Sequence, residues 1–380
     1  MLYREFGKTG VQVSRLGFGA MRLPISKPDA KAPRSAITGI DESAALIRRG
    51  LDRGITYVDS APYYCHSESE TAVGRAIKGL PRDRLYIATK FPQSSGCGRC
   101  LRTLLELSLR RLDTDYLDFY LFWGLSLEGY TQHTIAKDGP MAAARKAKEE
   151  GLIRHIGLSC HDKPENCTKL IETGDFESLL VQYNLLDRQY APCLRLAHER
   201  GMGTAVMGPV SGGRLAAPSA VITSAAAVSS TAEAALRFVW ANGDIDVALS
   251  GMSDMKQVDE NLATADRAEP LSADEIARID AVFEKNKRLL DLPCTGCGYC
   301  TPCEKGVAIP EIFRLYQWHE AFDLKGPARR QYRGMGKGWQ EKQKNATACD
   351  ECGQCEEKCP QKIAIREKLK SAHRVLAAKP

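Results

Sequence analysis

Eight of the fourteen cysteines stand in two short runs near the C-terminus. Within each run a cysteine recurs at every third residue, and the second run closes with a wider gap and a proline. Thiolates at this spacing wrap the chain around one corner of an iron–sulfur cubane, and C-x2-C-x2-C-x3-C-P is a run typical of bacterial [4Fe–4S] proteins. The first run is Cys294, Cys297, Cys300 and Cys303, and the second is Cys349, Cys352, Cys355 and Cys359, followed by Pro360.

The spacing also predicts how the two runs share their ligands. The fourth cysteine of a run lies too far round the chain to reach the cluster that its three neighbours hold, and in two-cluster ferredoxins it ligates the other cluster. We therefore predict two [4Fe–4S] clusters, in which Cys359 completes the first site and Cys303 the second. Two four-cysteine zinc sites are the alternative, because zinc also takes C-x2-C pairs. The third cysteine of each triplet and the trailing proline favour iron–sulfur clusters.

Length and composition limit the class of protein. The chain has 380 residues, of which 43% are hydrophobic and 26% charged, as in an ordinary soluble protein of two domains or one barrel with an appendage. The net charge of +6 comes from dispersed basic residues, which argues against nucleic-acid binding. Residues 329–344 and 362–374 are the densest basic stretches, which we interpret as solvated faces, with a docking surface for an acidic redox partner as the alternative. No apolar stretch is long enough to span a membrane, and the N-terminus lacks a signal segment, so we expect a cytoplasmic protein.

Strand-like and helix-like segments alternate between residues 40 and 265, which predicts βαβ units and a parallel sheet. Eight such units in about 250 residues indicate a (β/α)8 TIM barrel. A doubly wound sheet is the competitor, but the glycine-rich phosphate turn it needs after the first strand is missing. The predicted strands are 13–18, 56–59, 85–89, 116–122, 154–158, 179–182, 204–207 and 247–250.

The rest of the chain predicts a smaller second domain. Ser272-Ala-Asp-Glu275 is a capping-box sequence and indicates a connecting helix over 272–289. Residues 309–322 look helical, and the glycine- and charge-rich stretch 325–340 is predicted to be a loop. We divide the chain into a barrel (1–268), a connecting helix (269–290) and a small, mostly helical ferredoxin-like domain with two iron–sulfur clusters (291–380).

Three polar residues lie where predicted strands end, which is where barrel active sites form. Asp59 closes the second strand, Lys90 the third, and Tyr64 follows Asp59 by five residues. Tyrosine, with a pKa near 10, is a weak acid unless a cation stabilises its phenolate. A lysine held by an aspartate supplies that cation, and the group then becomes a proton donor to a carbonyl oxygen that accepts hydride. A structural ion pair between Asp59 and Lys90 is the alternative interpretation.

These residues belong to a wider pattern. The chain resembles an aldo-keto reductase over residues 1 to about 268, and most closely the branch with a C-terminal ferredoxin-like domain. The stretches that carry the resemblance are Gly7-Lys-Thr-Gly, Asp59-Ser-Ala-Pro-Tyr-Tyr, Ile156-Gly-Leu-Ser159, Gln182-Tyr-Asn184 and Gly251-Met-Ser253.

The resemblance implies a barrel that binds NADPH across its mouth, with Asp59, Tyr64 and Lys90 in the catalytic positions. By the same resemblance, two short groups of residues bind the ends of the cofactor. Ser159 and Gln182 match the residues that hold the nicotinamide carboxamide, and Asn184 is a further cofactor-binding candidate beside them. The group at the adenosine end is Gly251, Met252, Ser253, Gln257, Glu260 and Asn261.

The chain departs from the family in two places. Trp123 stands where the family has a catalytic histidine. The indole of a tryptophan donates a hydrogen bond, but unlike an imidazole it does not take up and release a proton near neutral pH. Either the substrate is oriented differently, or the reaction extends to an activated carbon–carbon double bond. Gly251 and Gln257 occupy positions where many relatives carry basic residues that grip the 2′-phosphate. NADPH is thus only weakly preferred over NADH, and loss of nicotinamide binding stays open.

Three functional hypotheses follow. In the first, the protein is an NAD(P)H-linked reductase of a small molecule, and its clusters relay electrons to or from a partner protein or a bound flavin, although no flavin fingerprint is evident. In the second, the clusters mainly structure the C-terminal domain and the site. In the third, the protein is an electron-transfer subunit whose barrel is a docking scaffold with lost or altered hydride chemistry.

Other residues near the predicted mouth stay open. Cys97-Gly-Arg-Cys100 is a redox pair, an additional ligand set or two ordinary loop thiols, and the last is favoured for a single C-x2-C. His161 is a candidate to reach the substrate, against a structural role, and His66 is a candidate to replace the missing histidine in part, against an ordinary loop position.

Overall fold

Eight parallel strands close into a barrel. The computed structural model describes residues 1–29, 31–92, 97–267 and 269–378. Around the barrel the strands follow the order β10-β3-β4-β5-β6-β7-β8-β9, so the chain runs round the circle once, and the predicted barrel is confirmed. The strands are β1 (Tyr3–Glu5), β2 (Gln12–Ser14), β3 (Leu16–Gly19), β4 (Tyr57–Asp59), β5 (Tyr86–Pro92), β6 (Leu117–Trp123), β7 (Ile153–Ser159), β8 (Ser178–Gln182), β9 (Gly203–Met207) and β10 (Val247–Ser250).

Helices follow most barrel strands, and others belong to the C-terminal part of the chain. They are α1 (Ile40–Asp52), α2 (Ser69–Ile77), α3 (Gly98–Leu112), α4 (Leu127–Gly129), α5 (Pro140–Glu149), α6 (Pro164–Glu172), α7 (Ala191–Glu199), α8 (Ala220–Ala226), α9 (Thr231–Ala241), α10 (Met255–Arg267), α11 (Ala273–Leu289), α12 (Ile309–Glu320), α13 (Lys325–Gly334), α14 (Gln354–Glu357) and α15 (Ile365–Leu376).

An N-terminal hairpin packs against the amino ends of the barrel strands. Here the single strand predicted over 13–18 is wrong, because β2 pairs antiparallel with β1 and only β3 enters the barrel. The ring of Phe6 lies 4.9 Å from that of Phe119 and 5.4 Å from that of Tyr57. A Cβ on Gly203 would stand 2.3 Å from the Phe6 ring, so this contact requires glycine there. The apolar base leaves the carboxyl ends of the strands as the open end.

The chain folds into two compact units. The first comprises 1–212 and 235–270, and the second comprises 213–234 and 271–380. The predicted limits at 268 and 290 therefore stay a prediction, and the segment 213–234 groups with the C-terminal unit. Within that unit Arg278 donates to the carbonyl of Ala225, which ties α11 to α8 at 3.1 Å.

The second unit is mostly helical. The helix predicted over 272–289 is confirmed as α11, with Ser272 as its N-cap and both bonds of the capping box formed with Glu275. The loop predicted over 325–340 is wrong, because 325–334 form α13. Ala328 and Tyr332, one turn apart, are buried, and the Tyr332 hydroxyl lies 2.8 Å from His373 of α15. None of the helices in the described ranges has both the length and the apolar character to cross a membrane.

Candidate active site and cysteine cavities

The barrel topology brings the predicted catalytic residues to one end. Asp59 is the last residue of β4, Lys90 lies near the end of β5, and Trp123 ends β6. In the parallel register Asp59 pairs with Ala88, and Lys90 pairs with Leu121. The carboxyl ends of the strands thus present these side chains at the open end, where barrel active sites lie.

Asp59 and Lys90 form a buried ion pair. The Lys90 ammonium donates to Asp59 Oδ1 and to the Ser60 carbonyl, each at 2.6 Å, and the side chains are 1% and 7% exposed for Lys90 and Asp59. Burial lowers the pKa of Lys90, but the charge of Asp59, the neighbouring Tyr64 and their hydrogen bonds outweigh it and hold the pKa above its ordinary value. Lys90 is therefore a fixed cation at neutral pH.

Tyr64 lies directly beside this cation. The Lys90 ammonium is 4.8 Å from the centre of the Tyr64 ring, and the Trp123 ring meets Tyr64 edge-on at 5.4 Å. Burial raises the pKa of Tyr64, Lys90 opposes that shift, and Asp59 adds to it, so the net pKa lies above the ordinary value of a tyrosine. The sequence predicts that the Lys90 cation stabilises the Tyr64 phenolate. Burial outweighs the cation in the structure, and Tyr64 is protonated at neutral pH.

The buried ion pair makes a stability prediction. Replacing Asp59 with asparagine leaves the Lys90 ammonium buried without its counter-charge, and we expect the free energy of unfolding to fall by about 3–5 kcal/mol. The urea transition followed by circular dichroism measures this loss. Asp52→Asn is the matched control, because Asp52 pairs with Arg48 at the surface, with 52% of its side chain exposed. A surface pair of this kind contributes about 0–1 kcal/mol. Equal losses in the two variants would contradict a special role for the buried pair.

The residues predicted for the nicotinamide end differ in whether their side chains already form hydrogen bonds within the protein. Ser159 ends β7, and its buried hydroxyl has no hydrogen-bond partner among the described residues. The Gln182 amide donates to Asp187 at 2.7 Å. Asn184 is fully buried, donates to the Gly208 carbonyl at 3.0 Å and accepts from the backbone at 2.9 Å. Ser159 thus suits a polar ligand group, whereas Asn184 stabilises the turn after β8.

The residues predicted for the adenosine end follow β10. Ser253 and Gln257 hydrogen-bond each other at the start of α10, and Gln257 also donates to Asp254 at 2.7 Å. Met252 and Asn261 are buried, and Asn261 donates to Ser250 at 3.0 Å. Glu260 is exposed and lies 3.8 Å from Lys256.

Arg22 is a residue of this region that the sequence argument missed. It is exposed just beyond β3, and its Cγ lies 3.1 Å from the position that a Cβ on Gly251 would occupy. Glycine at 251 therefore leaves room for an arginine stem, and the side chain brings a cation to the same rim. The only sequence signal for Arg22 was its position three residues after Gly19, the last residue of the first barrel strand, β3.

The two candidate histidines occupy different settings. His66 is exposed in a left-handed turn, with φ of 59°. His161 lies two residues beyond Ser159, and its Cδ2 is 4.0 Å from the position that a Cβ on Gly124 would occupy. Desolvation at the rim lowers the pKa of His161, and the charge of Lys90 adds to the effect. His161 therefore lies beside Gly124, the residue that follows Trp123, and is neutral at pH 7.

The cysteines of the two runs surround two cavities in the second unit. The first cavity, about 350 Å³ including its open mouth, is lined by Cys294, Cys297, Cys300 and Cys359 together with apolar residues. The second, about 520 Å³, is lined by Cys303, Cys349, Cys352 and Cys355, with Cys300 also on its wall. This grouping is the one that crossed ligation requires.

The side chains around the two cavities are of the type that binds iron–sulfur clusters, which are held by cysteine thiolates. All eight side chains are free thiols, and burial raises the pKa of several, that of Cys355 to about 11. Loading such thiols with metal therefore releases protons. In the ranges that the structure covers, no three His, Cys, Asp or Glu side chains converge on a single-ion site. The thiols of the two cysteine runs instead line the two cavities.

Comparison with known proteins places both parts of the chain. Residues 15–223 match the model of the aldo/keto reductase family, and residues 293–364 match that of the 4Fe-4S dicluster domain. The first match spans more than half of the chain, which therefore belongs to the aldo/keto reductase family of oxidoreductases. The predicted family, the barrel and the C-terminal 4Fe-4S domain are confirmed.

Individual relatives agree. The chain is 28% identical over 322 residues to L-galactose dehydrogenase of Arabidopsis thaliana, a match that covers 75% of this chain and 95% of the relative. The holo form of aldo-keto reductase AKR11C1 from Bacillus halodurans has a TM-score of 0.62 at 27% identity, covering 74% and 96%. An aldo-keto reductase from Klebsiella pneumoniae in complex with NADPH has a TM-score of 0.59 at 25% identity, covering 74% and 95%.

Proposed function

We propose that the protein is an NAD(P)H-linked oxidoreductase that reduces a carbonyl group or an activated carbon–carbon double bond of a small molecule. One observation carries the proposal: the buried Asp59–Lys90 pair lies beside the Tyr64 ring at the barrel mouth. Burying two charges costs desolvation free energy, which a strand end with only a structural role would avoid. The position of this pair at the carboxyl ends of the barrel strands, where barrel active sites lie, therefore supports a catalytic role.

The three side chains divide the proton chemistry between them. Tyr64 holds a proton at neutral pH and donates it to the oxygen that gains electrons. An alkoxide is far more basic than a phenolate, so a raised pKa at Tyr64 does not prevent the transfer. Lys90 stabilises the phenolate that remains, and Asp59 with the Ser60 carbonyl holds Lys90 in place. A bound nicotinamide supplies the hydride.

Trp123 and His161 shape the substrate side of this mouth. Trp123 packs edge-on against Tyr64 and within 6.2 Å of the Tyr63 ring, so it forms an aromatic wall where the family has a histidine. A flat wall suits a planar conjugated substrate such as an enone. His161, neutral at the rim, supplies the titratable hydrogen-bonding group that Trp123 lacks.

Three features support a nicotinamide cofactor. The unpartnered hydroxyl of Ser159 suits the carboxamide, because a buried polar atom favours a hydrogen-bond partner. Arg22 brings a cation to the rim beside Gly251, where a phosphate group would bind. The relative from Klebsiella pneumoniae was solved with NADPH. NADPH is therefore the cofactor we propose, with NADH as the alternative.

An anaerobic titration of NADPH fluorescence tests this cofactor. We expect binding to the unmodified protein and a dissociation constant about ten- to a hundredfold higher for Arg22→Ala, because one phosphate contact of this kind is worth about 1.5–3 kcal/mol. Arg110→Ala is the matched control, since Arg110 is exposed on α3 away from strand ends. A silent titration with both NADPH and NADH would refute the proposed cofactor, and equal affinity of the two arginine variants would remove Arg22 from the site.

In the second unit we propose two [4Fe–4S] clusters with crossed ligation. Cys294, Cys297, Cys300 and Cys359 would hold one cluster, and Cys303, Cys349, Cys352 and Cys355 the other. Each cluster supplies one-electron chemistry, whereas a hydride carries two electrons, so direct exchange needs a splitter such as a flavin. The clusters then either relay electrons to a partner protein or structure the domain. Reduction of the visible bands by NADPH in the presence of an added flavin would support the relay, and bands that stay unreduced under these conditions would support the structural role.

A scaffold function is the second candidate, favoured by Trp123 in place of the family histidine. In that case the barrel docks a partner and the clusters carry the electrons. If the protein is a scaffold, Tyr64 and Lys90 are dispensable for its function. The single substitution Tyr64→Phe therefore distinguishes the scaffold from the reductase.

A further inference from the structure

A disulfide joins Cys97 to Cys100, with their Cα atoms 5.1 Å apart. The other twelve cysteines form no disulfide. The bonded pair is therefore set apart from the eight thiols around the two cavities. It also includes none of the residues assigned above to the Tyr64 site. A sequence separation of three makes it a C-x-x-C pair, the arrangement found in thiol–disulfide exchange centres.

The helix start favours exchange at Cys97. Cys97 is the N-cap of α3, a helix of 15 residues, and its sulfur accepts a hydrogen bond from the Cys100 amide at 3.1 Å. When the disulfide opens, the same amide and the helix dipole stabilise a thiolate at this position. The first turn contains no acidic residue, and the intervening Arg99 adds a positive charge.

Exposure gives the two sulfurs different roles. Cys97 is exposed, whereas Cys100 is half-buried. Gly98 between them is buried, and a Cβ there would stand 2.8 Å from the Asp138 carbonyl oxygen. The backbone of this turn is thus packed on one side, and an incoming thiolate reaches Cys97 first. Cys100 is then the leaving thiol and, in the reverse direction, the resolving thiol.

We propose that Cys97 and Cys100 form a thiol–disulfide exchange centre that reacts with dithiols. A thiolate of the dithiol attacks Cys97, forming a mixed disulfide while Cys100 leaves and takes a proton. The second thiol of the dithiol then displaces Cys97. The centre gains two electrons and two protons, and the dithiol is oxidised to its disulfide. This activity is independent of hydride transfer at the barrel mouth and of the clusters.

The sequence offers a direct assay, because trypsin cuts after Arg99. Peptides 91–99 and 100–102 then stay joined only through the disulfide. The full chain is equilibrated in buffers of reduced and oxidised dithiothreitol, trapped with N-ethylmaleimide at acidic pH, digested and analysed by mass spectrometry. We expect one two-electron transition from the joined peptides to two alkylated peptides. Peptides that are never joined in oxidised protein, or that stay joined in a large excess of dithiothreitol, would overturn the proposal.

A variant tests the asymmetry of the pair. In Cys100→Ser the Cys97 thiol stands alone at the helix start, and we expect it to alkylate at least tenfold faster at pH 7 than Cys65 in the same sample. Cys65 is the reference because its partly buried thiol donates to backbone carbonyls and burial raises its pKa. Equal rates for the two thiols would contradict a helix-stabilised thiolate.

Discussion

Replacing Tyr64 with phenylalanine should lower NADPH-dependent reduction of a carbonyl probe such as 4-nitrobenzaldehyde by about 10²–10⁴-fold, the usual contribution of a positioned proton donor. The ring keeps its packing against Trp123 and its place beside Lys90, so NADPH affinity should change little. Turnover falls because the substitution removes the hydroxyl, which carries the proton and hydrogen-bonds with Lys90. Steady-state kinetics with a parallel binding titration separates the two quantities.

Tyr63→Phe is the matched control for this substitution. Tyr63 lies next in sequence, is 55% exposed and also packs near Trp123, at 6.2 Å. Its hydroxyl has no place in the proposed proton transfer, so the rate should stay within about twofold of the unmodified protein. Equal losses in the two variants, or full turnover in Tyr64→Phe, would remove Tyr64 as the proton donor.

The same assignment predicts the pH profile. Burial raises the pKa of Tyr64 above its ordinary value near 10, so the donor form is present at every pH below that value. Lys90, with its pKa also raised, stays charged over the same range. Turnover should therefore be flat from about pH 7 to pH 9 and decline only in more alkaline solution. A fall with a midpoint near pH 8 would show that another group donates the proton.

Pairs of cysteine substitutions should lose different amounts of iron. With crossed ligation, Cys294 and Cys359 serve one cluster, so Cys294→Ala with Cys359→Ala should keep about four of about eight irons per chain. Cys294 and Cys303 serve different clusters, so Cys294→Ala with Cys303→Ala should lose nearly all iron. Uncrossed ligation predicts the reverse order. Iron and acid-labile sulfide analysis of anaerobically purified protein gives the counts.

A control separates lost ligation from general damage. Cys193→Ala removes a buried thiol of the barrel unit, far in sequence from either run, and should leave the iron content unchanged. Equal iron in the two double variants would contradict the assignment of fourth ligands. Zinc in place of iron in the unmodified protein would remove the clusters altogether.

The features that the sequence predicted well are those encoded by short spacing. The alternation of strands and helices predicts the barrel because each βα unit is local and the strands must then close. The position of Asp59 and Lys90 at strand ends is enough to bring them together, since all parallel strands end on one side. The cysteine spacing predicts the two groups of thiols because cysteines three residues apart in the chain lie close enough to line one cavity.

The features that the sequence did not predict depend on long-range packing. The helix α13 is rich in arginine and glycine, and it is stabilised by burying Tyr332 against α15, 41 residues away. Arg22 packs beside Gly251, more than two hundred residues later, because the glycine leaves space for its side chain. The direction of the Tyr64 pKa depends on how deeply the ring is buried, which no local pattern reports.

Deuterium transfer tests hydride chemistry at the barrel mouth most directly. NADPH deuterated at the nicotinamide C4, on each face in turn, is incubated anaerobically with the protein and three probes: an aldehyde, a ketone and an enone. Mass spectrometry should find deuterium on carbon in at least one product, from one face only, and the label should disappear with Tyr64→Phe. Unlabelled products, or no product from any probe while NADPH is bound, would contradict hydride transfer beside Tyr64.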